Sequence, residues 1–185
     1  MKAGVLALQG DFREHARAFA DAGATPVEVR TPEELARVDA LAIPGGESTT
    51  ISKLARSAEL VDPIVERARE GLPILGTCAG MIVMAERVIG LEPLLGLIDI
   101  EVERNAYGRQ VDSFEADLDV DGIDHPVRGV FIRAPIVREV GPDVRVLSEL
   151  EGAPVVLEQG NLVVASFHPE LVGESRLHAY LIGKV

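Results

Sequence analysis

The sequence holds one cysteine, no tryptophan and only 4% aromatic residues. A single thiol excludes an internal disulfide framework and suits a reducing, cytoplasmic setting. Lysine is scarce: Lys2, Lys53 and Lys184 stand against fifteen arginines, and 30 acidic residues outweigh both to leave a net charge of −12. Such a surface repels phosphate backbones and anionic headgroups, so no nucleic acid and no membrane is expected as a partner. No apolar run reaches the roughly 18 residues that a membrane-spanning helix needs. The apolar start, Met1 to Leu8, is too short for a secretory signal and reads as a first strand.

What is present suits one globular domain spanning residues 1–185, with 47% hydrophobic and 26% charged residues. Short apolar strands alternate with helices over the first 90 residues. Strands are expected at Lys2–Leu8, Pro26–Arg30, Ala40–Ile43 and Pro73–Thr77, with helices over Phe12–Ala22, after Thr31, from the Ser48 region to Ala58, and from Asp62 to about Gly71. Thr31-Pro32-Glu33-Glu34 is a capping box, with Thr31 as N-cap and Glu34 reaching back to it. The pattern predicts an α/β fold with a mixed, mostly parallel sheet flanked by helices. After Gly90 strands are expected at Leu97–Glu103, Val111–Leu118, Val127–Ile132, Val144–Leu150, Pro154–Glu158 and Leu162–Phe167; Ile98–Glu103 and Val144–Leu147 partly alternate, as half-exposed antiparallel strands do, and a closing helix follows from about Ser175.

The cysteine lies in Gly76-Thr77-Cys78-Ala79-Gly80, between the apolar Ile74-Leu75 and a helix-like apolar run from Met81 to Val88. This is the thiol form of a nucleophile elbow, a tight strand-to-helix turn whose neighbours must be small. A thiol attacks as thiolate, a form favoured by a helix N-terminus and by a nearby histidine. Among four histidines, His168 closes an apolar strand and precedes Pro169-Glu170. In an extended segment His168 and Glu170 project to one side, so the carboxylate can orient the imidazole. Cys78, His168 and Glu170 then form nucleophile, base and orienting acid. The Ala79 N–H and Gly46, in the Gly45-Gly46 loop at a neighbouring strand end, are candidates for an oxyanion hole. His15 on the first helix, His125 before Pro126 and His178 on the closing helix read as surface or structural residues. A metal site through His168 and Glu170 lacks a fourth ligand, so none is expected.

Gly-x-Cys-x-Gly followed about 90 residues later by His-Pro-Glu resembles the class I, triad-type glutamine amidotransferases, whose architecture is flavodoxin-like. Leu6–His15, Pro44–Thr50, Gly76–Gly80, Glu103–Gln110, Phe131–Pro135 and Ser166–Glu170 resemble one branch, the glutaminase subunits of pyridoxal 5′-phosphate synthases. The resemblance implies hydrolysis of L-glutamine to L-glutamate and ammonia through a thioester on Cys78. It implies substrate contacts from Gly46, Glu47, Ser48, Arg104, Ile132 and Arg133, and no cofactor. It further implies a partner, a β/α-barrel synthase subunit in a large heteromeric complex, which takes the ammonia and whose docking completes the oxyanion hole. Rival readings are another class I amidotransferase, a non-catalytic partner protein on the same scaffold, and a stand-alone cysteine hydrolase. The Arg104–Gln110 stretch, the intact triad and the His-x-Glu spacing weigh against these in turn.

Overall fold

Strands made wholly of apolar residues need cover on both faces, and the first half of the chain supplies it. In a computed structural model, which describes residues 1–104 and 113–185, β1 (Lys2–Leu6) leads to α1 (Phe12–Asp21), and β2 (Thr25–Val29) leads to α2 (Pro32–Leu35). β3 (Ala40–Ile43) is followed by α3 (Ser48–Ser57) and α4 (Val61–Arg69), and β4 (Ile74–Thr77) by α5 (Ala79–Met84). The capping box forms as expected: Thr31 accepts from the Glu34 N–H, and the Glu34 carboxylate accepts from the Thr31 N–H.

Then come β5 (Ala85–Val88), β6 (Ile98–Glu103), β7 (Phe114–Leu118), β8 (Val127–Phe131), β9 (Ile136–Val140), β10 (Arg145–Leu150), β11 (Ala153–Gln159), β12 (Leu162–Ala165) and α6 (Arg176–Ile182). Seven strands make the central sheet, in the order β10-β11-β12-β4-β3-β1-β2. The five from β12 to β2 pair in parallel, and β11 and β10 add on antiparallel. The sheet is therefore mixed and mostly parallel, as the sequence implies.

Side chains alternate between the two faces of these strands. Leu6, Leu41, Ile43, Ile74 and Val164 pack with α3, α4, α5 and the small sheet β5-β6-β9. Val5, Ala42, Leu75 and Val163 pack on the other side with Phe19 of α1, Leu177 and Leu181 of α6, and the β7-β8 hairpin. Each large side chain so buried contributes about 1.5–3 kcal/mol.

Two expectations need correction. The run Met81–Val88 is not one helix: α5 stops at Met84, and Ala85–Val88 pairs in parallel with β6. An apolar run of this length suits either state, and pairing with β6 decides it by supplying backbone partners while burying Ala85 and Val88. Strand β9, absent from the sequence reading, follows Pro135 and, among the described residues, pairs with β6 alone; its outer residues are exposed and carry no alternating signal. Val111 and Asp112, expected to begin a strand, lie outside the described residues.

Candidate active site

Cys78 sits between β4 and α5 with φ 48° and ψ −103°, a backbone conformation that a side chain rarely adopts. Such a residue costs on the order of 1–3 kcal/mol and persists only where its surroundings hold it. Here the Cys78 N–H donates to the Ala165 carbonyl at 2.8 Å, tying the elbow to β12. Gly80 lets α5 settle on the end of β3, since a Cβ there would lie 2.1 Å from the Ile43 carbonyl oxygen. Cys78 is 8% exposed, and its thiol points toward the Ile132 carbonyl, 3.9 Å away. Ala79 is the first residue of α5, so its N–H has no acceptor within the helix.

His168 continues past β12 and exchanges two backbone hydrogen bonds with Val130 of β8, at 2.8 and 3.1 Å. Its Nδ1 lies 2.8 Å from Glu170 Oε1. The pairing is as expected, but the geometry behind it is not. Pro169 has φ −71° and ψ −33°, and Glu170 opens a 3₁₀ turn, Glu170–Val172. The carboxylate reaches the ring because the chain curls back under it, not because the segment stays extended. With Nδ1 engaged, Nε2 is the nitrogen left for the thiol. Gly45 makes room for the ring: a Cβ at that position would lie 2.1 Å from His168 Cε1.

Electrostatics follow from this packing. Burial disfavours the imidazolium of His168, but hydrogen bonds and charge from Cys78 and Glu170 outweigh it and lift the residue to about 10. Burial likewise opposes the Glu170 carboxylate, yet His15 and His168 hold it far below the ordinary carboxylate range. Asp11 Oδ2 lies 3.4 Å from His168 Nδ1 at the cavity wall. Asp11, His168 and Glu170 bring ligand atoms within 4.8 Å of one another, but the short His168–Glu170 hydrogen bond already occupies two of those atoms.

One cavity of about 420 Å³ gathers Cys78, Ala79 and His168 with Gly46, Glu47, Ser48, Arg104, Ile132 and Arg133. Glu170 stands behind His168, with a fully buried side chain. Glu47 is the N-cap of α3: its carboxylate accepts from the Thr49 and Thr50 N–H groups at 3.2 and 2.7 Å and from both threonine hydroxyls. Those bonds pull it down to about 2. Arg104 approaches the same carboxylate at 3.4 Å, while Asn105–Gln110, the rest of that motif, lies outside the described residues. The Gly45 carbonyl accepts a long bond, 3.3 Å, from the Asp11 N–H.

Sequence reasoning assigns no role to several residues. Gln9 and Asp11 line the cavity, and Gln9 Oε1 accepts from the Glu47 N–H at 2.8 Å. The Gln9-Gly10 loop is one of three that the sequence places at the carboxyl ends of strands, where ligands bind, but it singles out no side chain there. His15 and His178 are not surface residues; both are fully buried, and His15 reaches Glu170 Oε1 at 3.4 Å. His125 is exposed in its turn, as expected.

An elbow cysteine, a carboxylate-held histidine and an uncommitted helix N–H converging on one cavity constitute equipment for acyl transfer. A relative from Mycobacteroides abscessus, a pyridoxal 5′-phosphate synthase subunit PdxT, is 54% identical over 98% of this chain and 96% of its own. Its counterpart of the same description from Pelotomaculum thermopropionicum is 53% identical over 100% and 95%. A crystal structure described as a glutamine amidotransferase superposes with a TM-score of 0.93 at 50% identity, covering 98% of this chain and 97% of that one. The structure of PurLQS from Thermotoga maritima, 19% identical with a TM-score of 0.69 over 99% and 95% of the two chains, shares the fold. The model of the SNO glutamine amidotransferase family matches residues 5–185, and the chain belongs to that family.

Proposed function

We propose that this protein is the glutaminase subunit of a pyridoxal 5′-phosphate synthase, acting as one amidotransferase domain over residues 1–185 in the cytoplasm. The observation that carries the reading is the 2.8 Å His168–Glu170 contact beside a strained Cys78 in a cavity sized for an amino acid. The curated relatives named above bear the corresponding description.

Glutamine enters with its side-chain amide against Cys78. The thiolate attacks the amide carbon, and the oxyanion is received by the Ala79 N–H and by the Gly46 N–H. As the C–N bond breaks, His168 gives its proton to the departing nitrogen, and ammonia leaves a thioester on Cys78. His168 then takes a proton from water, whose oxygen attacks the thioester carbon; glutamate departs and the thiolate returns. Glu170 stays ionised throughout and holds the ring in the orientation that presents Nε2 to sulfur. Arg104, Arg133 and the Ile132 backbone meet the charged end of the substrate, with Gly46, Glu47 and Ser48 opposite. Glu47 acts largely through α3, which its carboxylate caps.

The ammonia passes to a β/α-barrel synthase subunit in a heteromeric complex. Docking of that subunit turns the Gly45-Gly46 peptide so that its N–H joins the oxyanion hole. Among the described residues, one long hydrogen bond from Asp11 holds the Gly45 carbonyl against that turn, and a missing donor of this kind costs roughly 100- to 1,000-fold in rate. The test is glutamate release by wild type and Cys78→Ala, with and without the synthase. Wild type should be strongly stimulated by the partner, and Cys78→Ala should fall to background. Equal rates for the two chains overturn the mechanism; equal wild-type rates with and without partner overturn the coupling.

A further inference from the structure

Behind the triad lies a second line of buried polar side chains that the proposed mechanism does not use. His15 of α1 and His178 of α6 are both fully buried, and His15 Nδ1 lies 2.8 Å from His178 Nε2. The other nitrogen of His15, Nε2, lies 2.9 Å from Thr77 Oγ1 and 3.4 Å from Glu170 Oε1. Thr77, also fully buried, is the residue before the nucleophile. His15 therefore touches the strand that presents Cys78, the turn that presents Glu170 and the closing helix at once. Among the described residues Glu170 Oε2 has no partner, so Oε1, shared by His168 and His15, carries the polar contacts of that carboxylate.

The protons in this line have one arrangement that satisfies it. If His15 carries its proton on Nδ1, it donates to His178 Nε2. His178 must then bear a proton on Nδ1, an atom that is buried and, among the described residues, without a partner. The same choice turns a lone pair of His15 toward the carboxylate. If instead both rings carry the proton on Nε2, His178 donates to His15 Nδ1, and His15 donates into the pair Thr77 Oγ1 and Glu170 Oε1. The unpartnered atom is then a bare nitrogen, which costs less to bury than a stranded N–H in contact with nothing. His178 itself stays neutral, pushed down to about 3 by its burial.

We propose that His15 is a positioning residue for catalysis: seated by His178, it donates from Nε2 to Glu170 and Thr77 and so locks the carboxylate that aims His168 at Cys78. The proposal rests on the glutaminase reading above. It moves no proton during turnover. The ionisable groups facing His15 are Glu170 on the 3₁₀ turn, His178 on α6 and, more distantly, Asp11 at the head of its own helix.

The test measures glutamine hydrolysis with the synthase present for wild type, His15→Phe, His15→Gln and His178→Phe. Gln keeps an N–H donor near the place of Nε2, whereas Phe keeps only the ring volume. His15→Phe is expected to lose roughly ten- to a hundred-fold in kcat, part of the ~100- to 10,000-fold that positioned acid–base catalysis supplies, with KM for glutamine unchanged. The acid limb of its kcat/KM profile should move to higher pH, because Glu170 has lost a donor to its charged form. His15→Gln should recover most of the rate and the wild-type profile, and His178→Phe should show the same changes in smaller measure. A loss of similar size in His15→Phe and His15→Gln with an unshifted profile assigns His15 a packing role and overturns the proposal, as does a wild-type kcat in His15→Phe. Should His15→Phe fail to fold, as read by circular dichroism, His15→Gln and His178→Phe decide alone: a wild-type profile in His178→Phe then overturns it. Absence of hydrolysis by wild type would instead overturn the glutaminase reading.

Discussion

At the scale of single residues, the site depends on what is missing from side chains as much as on what they carry. Gly45 is such a case. The imidazole of His168 fills the space where a Cβ would stand, 2.1 Å from Cε1; Glu170 holds the ring, and the β8 backbone holds the main chain that carries it. Gly45→Ala must therefore displace either the ring or the loop that holds Gly46. A misplacement of about 1 Å costs on the order of 100-fold in rate. Glutamine hydrolysis by Gly45→Ala with synthase present should fall about 100-fold, while thermal melting moves by only a few degrees. A rate within threefold of wild type would show that the ring has room to yield.

At the scale of elements, the elbow works because α5 docks on the end of β3. Gly80→Ala adds favourable helix propensity of about 1 kcal/mol. It also brings a Cβ to 2.1 Å from a backbone carbonyl oxygen that cannot move out of the way as a flexible side chain can. The clash should win, with a net loss of about 1–3 kcal/mol in chemical denaturation. A neutral or raised midpoint would mean that α5 slides freely. The parallel half of the fold is legible in the sequence because β3, β4 and β12 are buried on both faces and β1 nearly so, and because Gly, Pro and a capping box bound the elements. Cys78 and His168 are legible for a related reason, since each ends such a strand. Other features depend on pairings that no local pattern encodes. The switch from α5 to β5 is made by β6, and the inward turn of Glu170 is a matter of tertiary packing. His15 lies between these cases. It falls on the same face of α1 as Ala18 and Phe19, at i+3 and i+4, so its burial is readable from helical spacing, but its partners on α6 and the 3₁₀ turn are not.

At the scale of the whole molecule, the buried histidines give stability a dependence on pH. His178 holds its neutral form to about 3 in the folded chain, against 6.5 for a free histidine. Below 6.5 the unfolded chain binds a proton that the folded one refuses, so stability falls as pH falls, by up to ~1.4 kcal/mol per unit. The Glu170 carboxylate adds to this only below 4.5, where its unfolded form begins to protonate. His168, raised to about 10, acts in the opposite sense and removes stability as pH rises above 6.5. Between pH 6.5 and 5 the slope should therefore come from His178. Urea denaturation should show a loss of about 1–2 kcal/mol across that interval in wild type and a flatter response in His178→Phe. An equal slope in both would place the titration elsewhere.

The order of strands carries one more consequence, for the chain while it is being made. β12 lies beside β4 in the interior of the central sheet, yet it is the last strand in sequence. As the chain leaves the ribosome, β4 and its cysteine emerge with one edge unpaired, and Cys78 precedes His168 by 90 residues. At the usual pace of synthesis, about 5–20 residues per second, Cys78 waits roughly 5–20 seconds for His168. The carbonyl of Ala165 that holds the elbow in its strained form arrives in the same late segment. A chain not yet extended through β12 thus has Cys78 without His168 and without the carbonyl that fixes the elbow.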